Sequence, residues 1–527
     1  MNLLRVLHTV KYLRRIQILY QIFYRIKKRF ISIKDYDKYL RRNLIHTDLK
    51  ISTLLHAQQP EYLGNNKFCY IGLTHSFTDT INWNFEGHGK LWNYNLQYFN
   101  FLLDENIALE ERTKILHDFS QKLLSSFVPL EPYPVSLRII NTLIFHSRYQ
   151  IADPVIIEAL QRQIAYLEKN IEFHLLANHF LENVFSLFIA AYFISDKSLM
   201  LKALSIVIPE LREQILDDGG HFEGSVMYHS LILSKLLLCI EIARKTKWVE
   251  DNELKIIEET ASRMLGWIKE YSFPDGTWAL MNDAAEGIAP TTNSLLNAGG
   301  LINIYPTEIS FSCSVYRKIR GLFWEIIIKT DIPKPKYQPA HSHADIGSFC
   351  LWYRGEQLLV DPGISTYNNT AIRTKERSTL SHNTIAIERK NQSDVWSSFR
   401  VGKRAFVSLL DASSSCVKLR IIPFHSNETI HERTFNKLAD DKFVIHDNLI
   451  NTKSTTNQVG SLQFSTGIEV NQYDTFWEAK NMRLVFKNAT KVELDKGSYS
   501  THFNQHKIAA RIFYYFNTSC ELGIELL

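Results

Sequence analysis

Three short stretches carry more reactive groups than packing requires. The densest is His341-Ser342-His343-Ala344-Asp345, with Asp361-Pro362-Gly363 and Ser381-His382-Asn383 following it. On an extended chain His341 and His343 point to one face, and a hairpin returns Asp361 close to them. Two imidazoles and a carboxylate make a zinc-type ligand set. Any one of these histidines, taken alone, is more simply a satisfied polar group in a β core. The second stretch runs from Gly219-Gly220-His221-Phe222-Glu223 through Ser225 to Tyr228-His229, a glycine turn leading into a helix. By itself Tyr228 reads as a half-buried core tyrosine. The third, Asn178-His179-Phe180-Leu181-Glu182-Asn183, opens a helix, where a lone asparagine is more often a cap than a catalytic group. Taken together, the three clusters point to a site.

Groups so far apart in sequence need rigid elements to converge. From about Leu91 to Ile268, apolar residues recur at three- and four-residue spacings, as in Val155–Leu167, Phe180–Phe193 and Leu231–Ala243. That periodicity predicts helices. Turn chemistry at Pro129–Pro134, Asp153-Pro154, Asp217–Gly220 and Pro274-Asp275-Gly276 separates them. Similar helices on short loops predict a helical-hairpin array or a toroid, and periodicity alone does not choose between the two. After Ile332-Pro333-Lys334-Pro335 the texture changes. Ser348–Tyr353 and Gln357–Val360 flank Arg354-Gly355-Glu356 and predict a hairpin. Phe443–Asp447 and Leu484–Phe486 continue the pattern, with turns expected at Ala439-Asp440-Asp441 and Lys496-Gly497. No crossover helices show, so the sheet is expected to be antiparallel, by preference a sandwich. The boundary is expected near residues 305–335.

A chain of 527 residues exceeds what one core usually serves, so two or three domains are expected. With 45% apolar and 22% charged residues the composition is that of a folded protein and excludes disorder. Aromatics at 12% suit a surface that carries sugar rings, although a large core takes most of them. A net charge of +5 is compatible with an anionic ligand and too small to argue for nucleic acid. The six cysteines lie far apart without a C-x-x-C pair, which predicts reduced thiols and neither a thiolate zinc site nor a redox motif. Residues 1–30 hold eight basic residues and no acid, with apolar residues at helical spacing. Two readings stand for this segment: a basic amphipathic helix on an anionic membrane, or a helix packed on its own domain. No later stretch reads as a membrane span; Ser186–Ile194 is too short.

The chain resembles the heparinase II/III-like polysaccharide lyases, particularly members found among bacterial exopolysaccharide genes. The resemblance rests on Lys90-Leu91-Trp92-Asn93-Tyr94, Pro132-Tyr133-Pro134-Val135-Ser136-Leu137-Arg138, Asn178-His179, Gly220–His229, His341–Asp345, Asp361-Pro362-Gly363 and Ser381-His382-Asn383-Thr384. It implies an α+β multidomain chain: a basic amphipathic segment over residues 1–45, an (α/α) toroid over 46–320 and an antiparallel β-sandwich over 321–527. The implied active site lies in the cleft between the last two. Asn178 would neutralise a uronate carboxylate, Tyr228 would be base or acid, and His341 its partner. His179, Glu223 and His229 would meet the substrate. His343, Asp361 and His382 would hold a divalent ion, zinc or calcium, in a structural role; no nucleotide or redox cofactor is expected.

The implied chemistry is β-elimination on a uronic-acid-containing polysaccharide, in exopolysaccharide or capsule metabolism. A uronate C5 proton is too weakly acidic to leave until the adjacent carboxylate is neutralised, and an amide such as Asn178 stabilises the enolate-like intermediate. A phenol can then return a proton to the leaving oxygen. The alternatives are a uronyl C5-epimerase on the same scaffold and a non-catalytic polysaccharide-binding assembly protein. No export signal is read, so a cytoplasmic location, or a peripheral one at the inner membrane face, is expected.

Overall fold

The structure, a computed structural model, describes residues 3–27, 33, 35, 36, 51, 61–125, 128–309, 315–426, 428–451 and 458–527. The first half is helical: α1 (Leu3–Val10), α2 (Arg15–Lys27), α3 (Lys90–Tyr98), α4 (Leu109–Leu124), α5 (Pro132–Tyr149), α6 (Pro154–Glu168), α7 (Ala177–Phe193), α8 (Lys197–Gln214), α9 (Val226–Thr246), α10 (Asp251–Glu270) and α11 (Thr292–Leu301). Local chemistry sets their ends. At α6 the Asp153 carboxylate accepts from the Val155 and Ile156 amides, and Pro154 occupies the first turn, where no donor is needed. Its apolar stripe, including Ile156, Leu160, Ile164 and Leu167, is buried.

α7 is buried almost all round and packs between α5, α8 and α9. α9 corrects an expectation, because its 21 residues are long and apolar enough to cross a membrane. It is instead a core helix, with 89% of that apolar window buried.

The second half is built of strands. Tyr316–Arg320, Trp324–Lys329, Phe349–Tyr353 and Glu356–Leu359 form a four-stranded meander. It begins at Tyr316, just ahead of the expected start at 321, and its first hairpin spans that boundary. The hairpin around Arg354-Gly355 forms as expected: both residues have positive φ, 45° and 98°, as a two-residue primed turn requires.

An eight-stranded sheet runs in the order Phe406–Ala412, Cys416–Ile422, Ile430–Ala439, Lys442–Ile450, Ser519–Leu526, Met482–Lys487, Trp477–Ala479, Val470–Gln472. A further four-stranded sheet joins Lys491–Tyr499, Lys507–Phe516, Gln458–Gln463 and Ile385–Ala386. Every strand pairing among the described residues is antiparallel. The turn expected at Lys496-Gly497 is not one. Gly497 lies inside a strand opposite Ala509, where a Cβ would come within 2.2 Å of the Gln463 side chain. The glycine is there for close approach rather than for turning.

The meander is the layer that joins the two halves. Ile326, Ile328, Phe349 and Leu351 face the core of the strand-rich half, while Ile327, Cys350 and Trp352 belong to the helical core. A sheet buried on both faces reads as a continuous apolar run, and Phe349–Tyr353 is buried throughout. The loops leaving this layer carry His341, His343 and Asp361. The five cysteines described are free, three of them buried.

Candidate active site

α7 is entered through strained backbone. Leu176 and Ala177 both have positive φ, 61° and 54°, which costs non-glycine residues about 1–3 kcal/mol each. This entry aims Asn178 across to the turn before α9, where its amide donates to both Glu223 carboxylate oxygens at 3.0 and 2.9 Å. Asn178 is therefore not a helix cap. Its own Oδ1 is buried without a hydrogen-bond partner. Burial pushes the Glu223 carboxyl above its ordinary value, against the pull of His341 and the Asn178 amide.

One turn on, Ser225 caps α9: its Oγ accepts from the Tyr228 amide and donates to the Asp283 carbonyl at 2.6 Å. Tyr228 then reaches toward the strand-rich half, its hydroxyl 3.0 Å from that of Tyr367. Burial, reinforced by Tyr367 and Asp283, holds its phenol well above the ordinary range, so the resting group is neutral.

The Tyr228 ring stacks on His341 with centroids 3.9 Å apart and planes 28° apart. His341 Nδ1 lies 2.8 Å from Asp283 Oδ2, and Nε2 lies 3.8 Å from Glu223. Asn178, Glu223, His341 and Tyr228 thus form one contiguous set drawn from both halves of the chain. The residues around His341 are not extended, contrary to expectation; they form a loop between two meander strands. The two histidines meet because both reach one carboxylate: His343 Nε2 is 2.8 Å from Asp283 Oδ1. Arg373 closes the cluster with a bidentate pair to Asp283 at 2.6 and 2.7 Å. Burial would raise this carboxyl, but Arg373 and the two histidines overcome it and hold it well below the carboxylate range.

Behind Asp283, ligand atoms of His343, Asp361 and His382 lie within 4.8 Å of one another, all buried. His382 Nδ1 is 2.9 Å from Asp361. His343 Nδ1 and His382 Nε2 are buried without hydrogen-bond partners. Burial lowers His343 to about 3, so it is a neutral imidazole.

Models of known families decide what this arrangement belongs to. The heparinase II/III N-terminus matches residues 154–311, and the heparinase II/III-like C-terminal model matches residues 309–524. The chain belongs to the heparinase II/III-like family. Solved structures agree in fold. A heparinase III crystal structure is 14% identical with TM-score 0.68, covering 94% of this chain and 88% of that one. A heparinase III gene product is 16% identical with TM-score 0.60, covering 85% and 81%. The heparan sulfate lyase HepC from Pedobacter heparinus is 15% identical with TM-score 0.55, covering 91% and 85%. No curated protein matches the chain.

The divalent ion implied for this family fits the residues present. His343 and His382 each keep one buried ring nitrogen without a hydrogen-bond partner, both lie close to the Asp361 carboxylate, and His343 is braced through its other nitrogen by Asp283, as metal-bound histidines usually are. His179 packs its ring 4.3 Å from Tyr133 and sets its Nδ1 3.2 Å from Glu172. His229 departs from its expected place at the substrate. It is wholly buried: Nδ1 accepts from the His221 amide, Nε2 lies 3.0 Å from the Met264 carbonyl, and the ring packs on Trp267. Both nitrogens are spent on main chain, so it braces the glycine turn.

Asp283, Arg373 and Tyr367 escaped the sequence reading. The only signal for Asp283 was an Asn-Asp pair ending the apolar run Trp278–Met281. The structure gives that pair weight, since Asn282 is left-handed at φ 61° and its side chain ties Gly224, Lys329 and His343 together.

Proposed function

We propose that the chain is a polysaccharide lyase that cleaves a uronic-acid-containing polymer by β-elimination. The observation that carries this reading is the Tyr228–His341 stack, its imidazole tethered to Asp283 and its free edge turned to Glu223. With Nδ1–H donated to the carboxylate, His341 Nε2 keeps its lone pair for an incoming proton. The neutral phenol of Tyr228 is the complementary acid. His341 takes the C5 proton, the C4–C5 double bond forms, the C4–O bond breaks, and Tyr228 protonates the leaving oxygen. The imidazolium–phenolate pair then resets by proton transfer.

Asn178 and Glu223 receive the uronate carboxylate together. Because Glu223 is raised, an arriving anion favours its neutral form, which can donate a hydrogen bond where charge builds. The divalent ion, zinc by its histidine-rich ligand set rather than calcium, would fix the loop that presents His341. The reading extends to an (α/α) toroid closed by a β-sandwich, and by motif resemblance to exopolysaccharide or capsule metabolism.

The test is ultraviolet absorbance on a panel of uronate polymers. Absorbance from the unsaturated uronate supports the lyase. Exchange of the C5 proton without absorbance gives the epimerase, and binding without either gives an assembly protein; each of those two outcomes sinks the proposal.

A further inference from the structure

We infer that the outer face of α2 is a docking site for an anionic lipid surface. A surface helix normally turns its apolar stripe to the core. α2 is mounted the other way. Its polar and aromatic edge faces the protein: Gln17 is 3% exposed and donates to the Leu175 carbonyl at 3.2 Å, and Tyr24 donates to the Ile171 carbonyl at 2.5 Å. Tyr20 packs on Phe173 at 4.7 Å, and Lys27 reaches the Lys169 carbonyl. The apolar residues point out, with Leu19 65%, Ile22 56%, Phe23 50% and Ile26 58% exposed. Ile18, Ile22 and Ile26 follow one another at four-residue spacing, and Leu19 and Phe23 lie beside them, so they form one stripe.

The charge around that stripe selects the occupant. Exposed Arg15 lies four residues before Leu19 on the same face, and exposed Arg25 three residues after Ile22. Residues 1–30 contain no acid at all. A second copy of this face would bring like charges together and be repelled, whereas an anionic bilayer takes the apolar row and pairs the cations. The mount engages both halves of the chain. α2 sits on the segment that leads into Asn178, and Arg14 stacks over Tyr337 at 3.9 Å. α1 is held to the strand-rich half by the Arg5–Asp394 pair and by Thr9 against the Val401 carbonyl. A membrane seated on α2 therefore lies beside the segment that carries Asn178.

Flotation of the full chain with vesicles tests this without any substrate, so its failure leaves the lyase reading standing. The wild type is expected to float with mixed phosphatidylcholine–phosphatidylglycerol vesicles, less so at high salt, and to stay behind with phosphatidylcholine alone. Leu19→Glu with Ile22→Glu is expected to lower partitioning on the order of tenfold or more, and Arg15→Glu with Arg25→Glu to lower it too. Since these side chains are exposed, thermal melting should be unchanged. Ile22→Ser, with a smaller loss in the same direction, serves if the double variant melts early. Wild type that ignores anionic vesicles, or variants that float as well as wild type, would overturn the proposal. So would a wild-type dimer that the variants abolish in the absence of vesicle binding, because that assigns the face to a second copy.

Discussion

Tyr228 and His341 touch face to face, yet their chemistry separates cleanly by substitution. Tyr228→Phe keeps the ring stack and removes the proton-donating oxygen. Turnover is expected to fall about 10²–10⁴-fold while the affinity for polymer changes little. Absorbance assays and calorimetric binding on the same variant check this; near-normal turnover refutes the role. Asp283→Asn reaches further, because that carboxylate serves His341, His343 and Arg373 at once. It leaves a buried guanidinium without its anion, a loss of about 3–5 kcal/mol. It also weakens metal retention by about 10–100-fold, by the usual cost of removing a ligand's brace. Elemental analysis and urea unfolding of the variant read the two effects separately, and wild-type values in both would sink the hub assignment. Spacing alone pointed to His341, His343 and Asp361 as a ligand set, and the family resemblance replaced His341 with His382; in the structure His343, Asp361 and His382 cluster while His341 turns to Asp283. Asp283 could not be read from sequence: one acid after an apolar run is ordinary, and only the fold brings it beneath His341 and His343.

Among the elements, the glycine turn before α9 leaves no room for a side chain. Gly219 sits at φ 88°, and a Cβ there would come within 2.1 Å of the Arg263 carbonyl. Gly219→Ala is expected to cost about 1–3 kcal/mol or more, measurable as a lower urea midpoint. An unchanged midpoint would show that the turn relaxes freely. Gly363 meets the same limit, its would-be Cβ 2.0 Å from the Ser500 carbonyl. Helices such as α6 announced themselves through Asp153-Pro154 and an apolar stripe, and the Arg354-Gly355 hairpin through its turn residues. Where reading failed, two local patterns looked alike. His341-x-His343 has the alternation of a strand but lies in a loop, held by long-range bonds to Asp283. Lys496-Gly497 has the chemistry of a turn, but Gly497 is required by the Gln463 side chain across the sheet. Neither determinant is local.

At the scale of the molecule, the two halves share the meander, so a metal ion behind it would stabilise the whole joint. Stripping the protein with a chelator is expected to lower Tm, since an ion that binds only the folded state adds about 2.7 kcal/mol at a free concentration of about 100 Kd. Scanning calorimetry before and after chelation, with zinc added back, checks this. An unchanged Tm in protein shown to be metal-free afterwards would leave the His343–Asp361–His382 cluster as a polar core. The strap formed by α1 and α2 has a further consequence, which concerns the order of synthesis. Arg5 pairs with a carboxylate 389 residues further along the chain. At about 5–20 residues per second, that partner is made roughly 20–80 s after Arg5. Throughout that interval α1 lacks its anchors, while the α2 mount around Ile171 and Leu175 is translated well before it ends. If the α2 face docks on lipid as proposed, a nascent chain can reach lipid before the strand-rich side of the site exists.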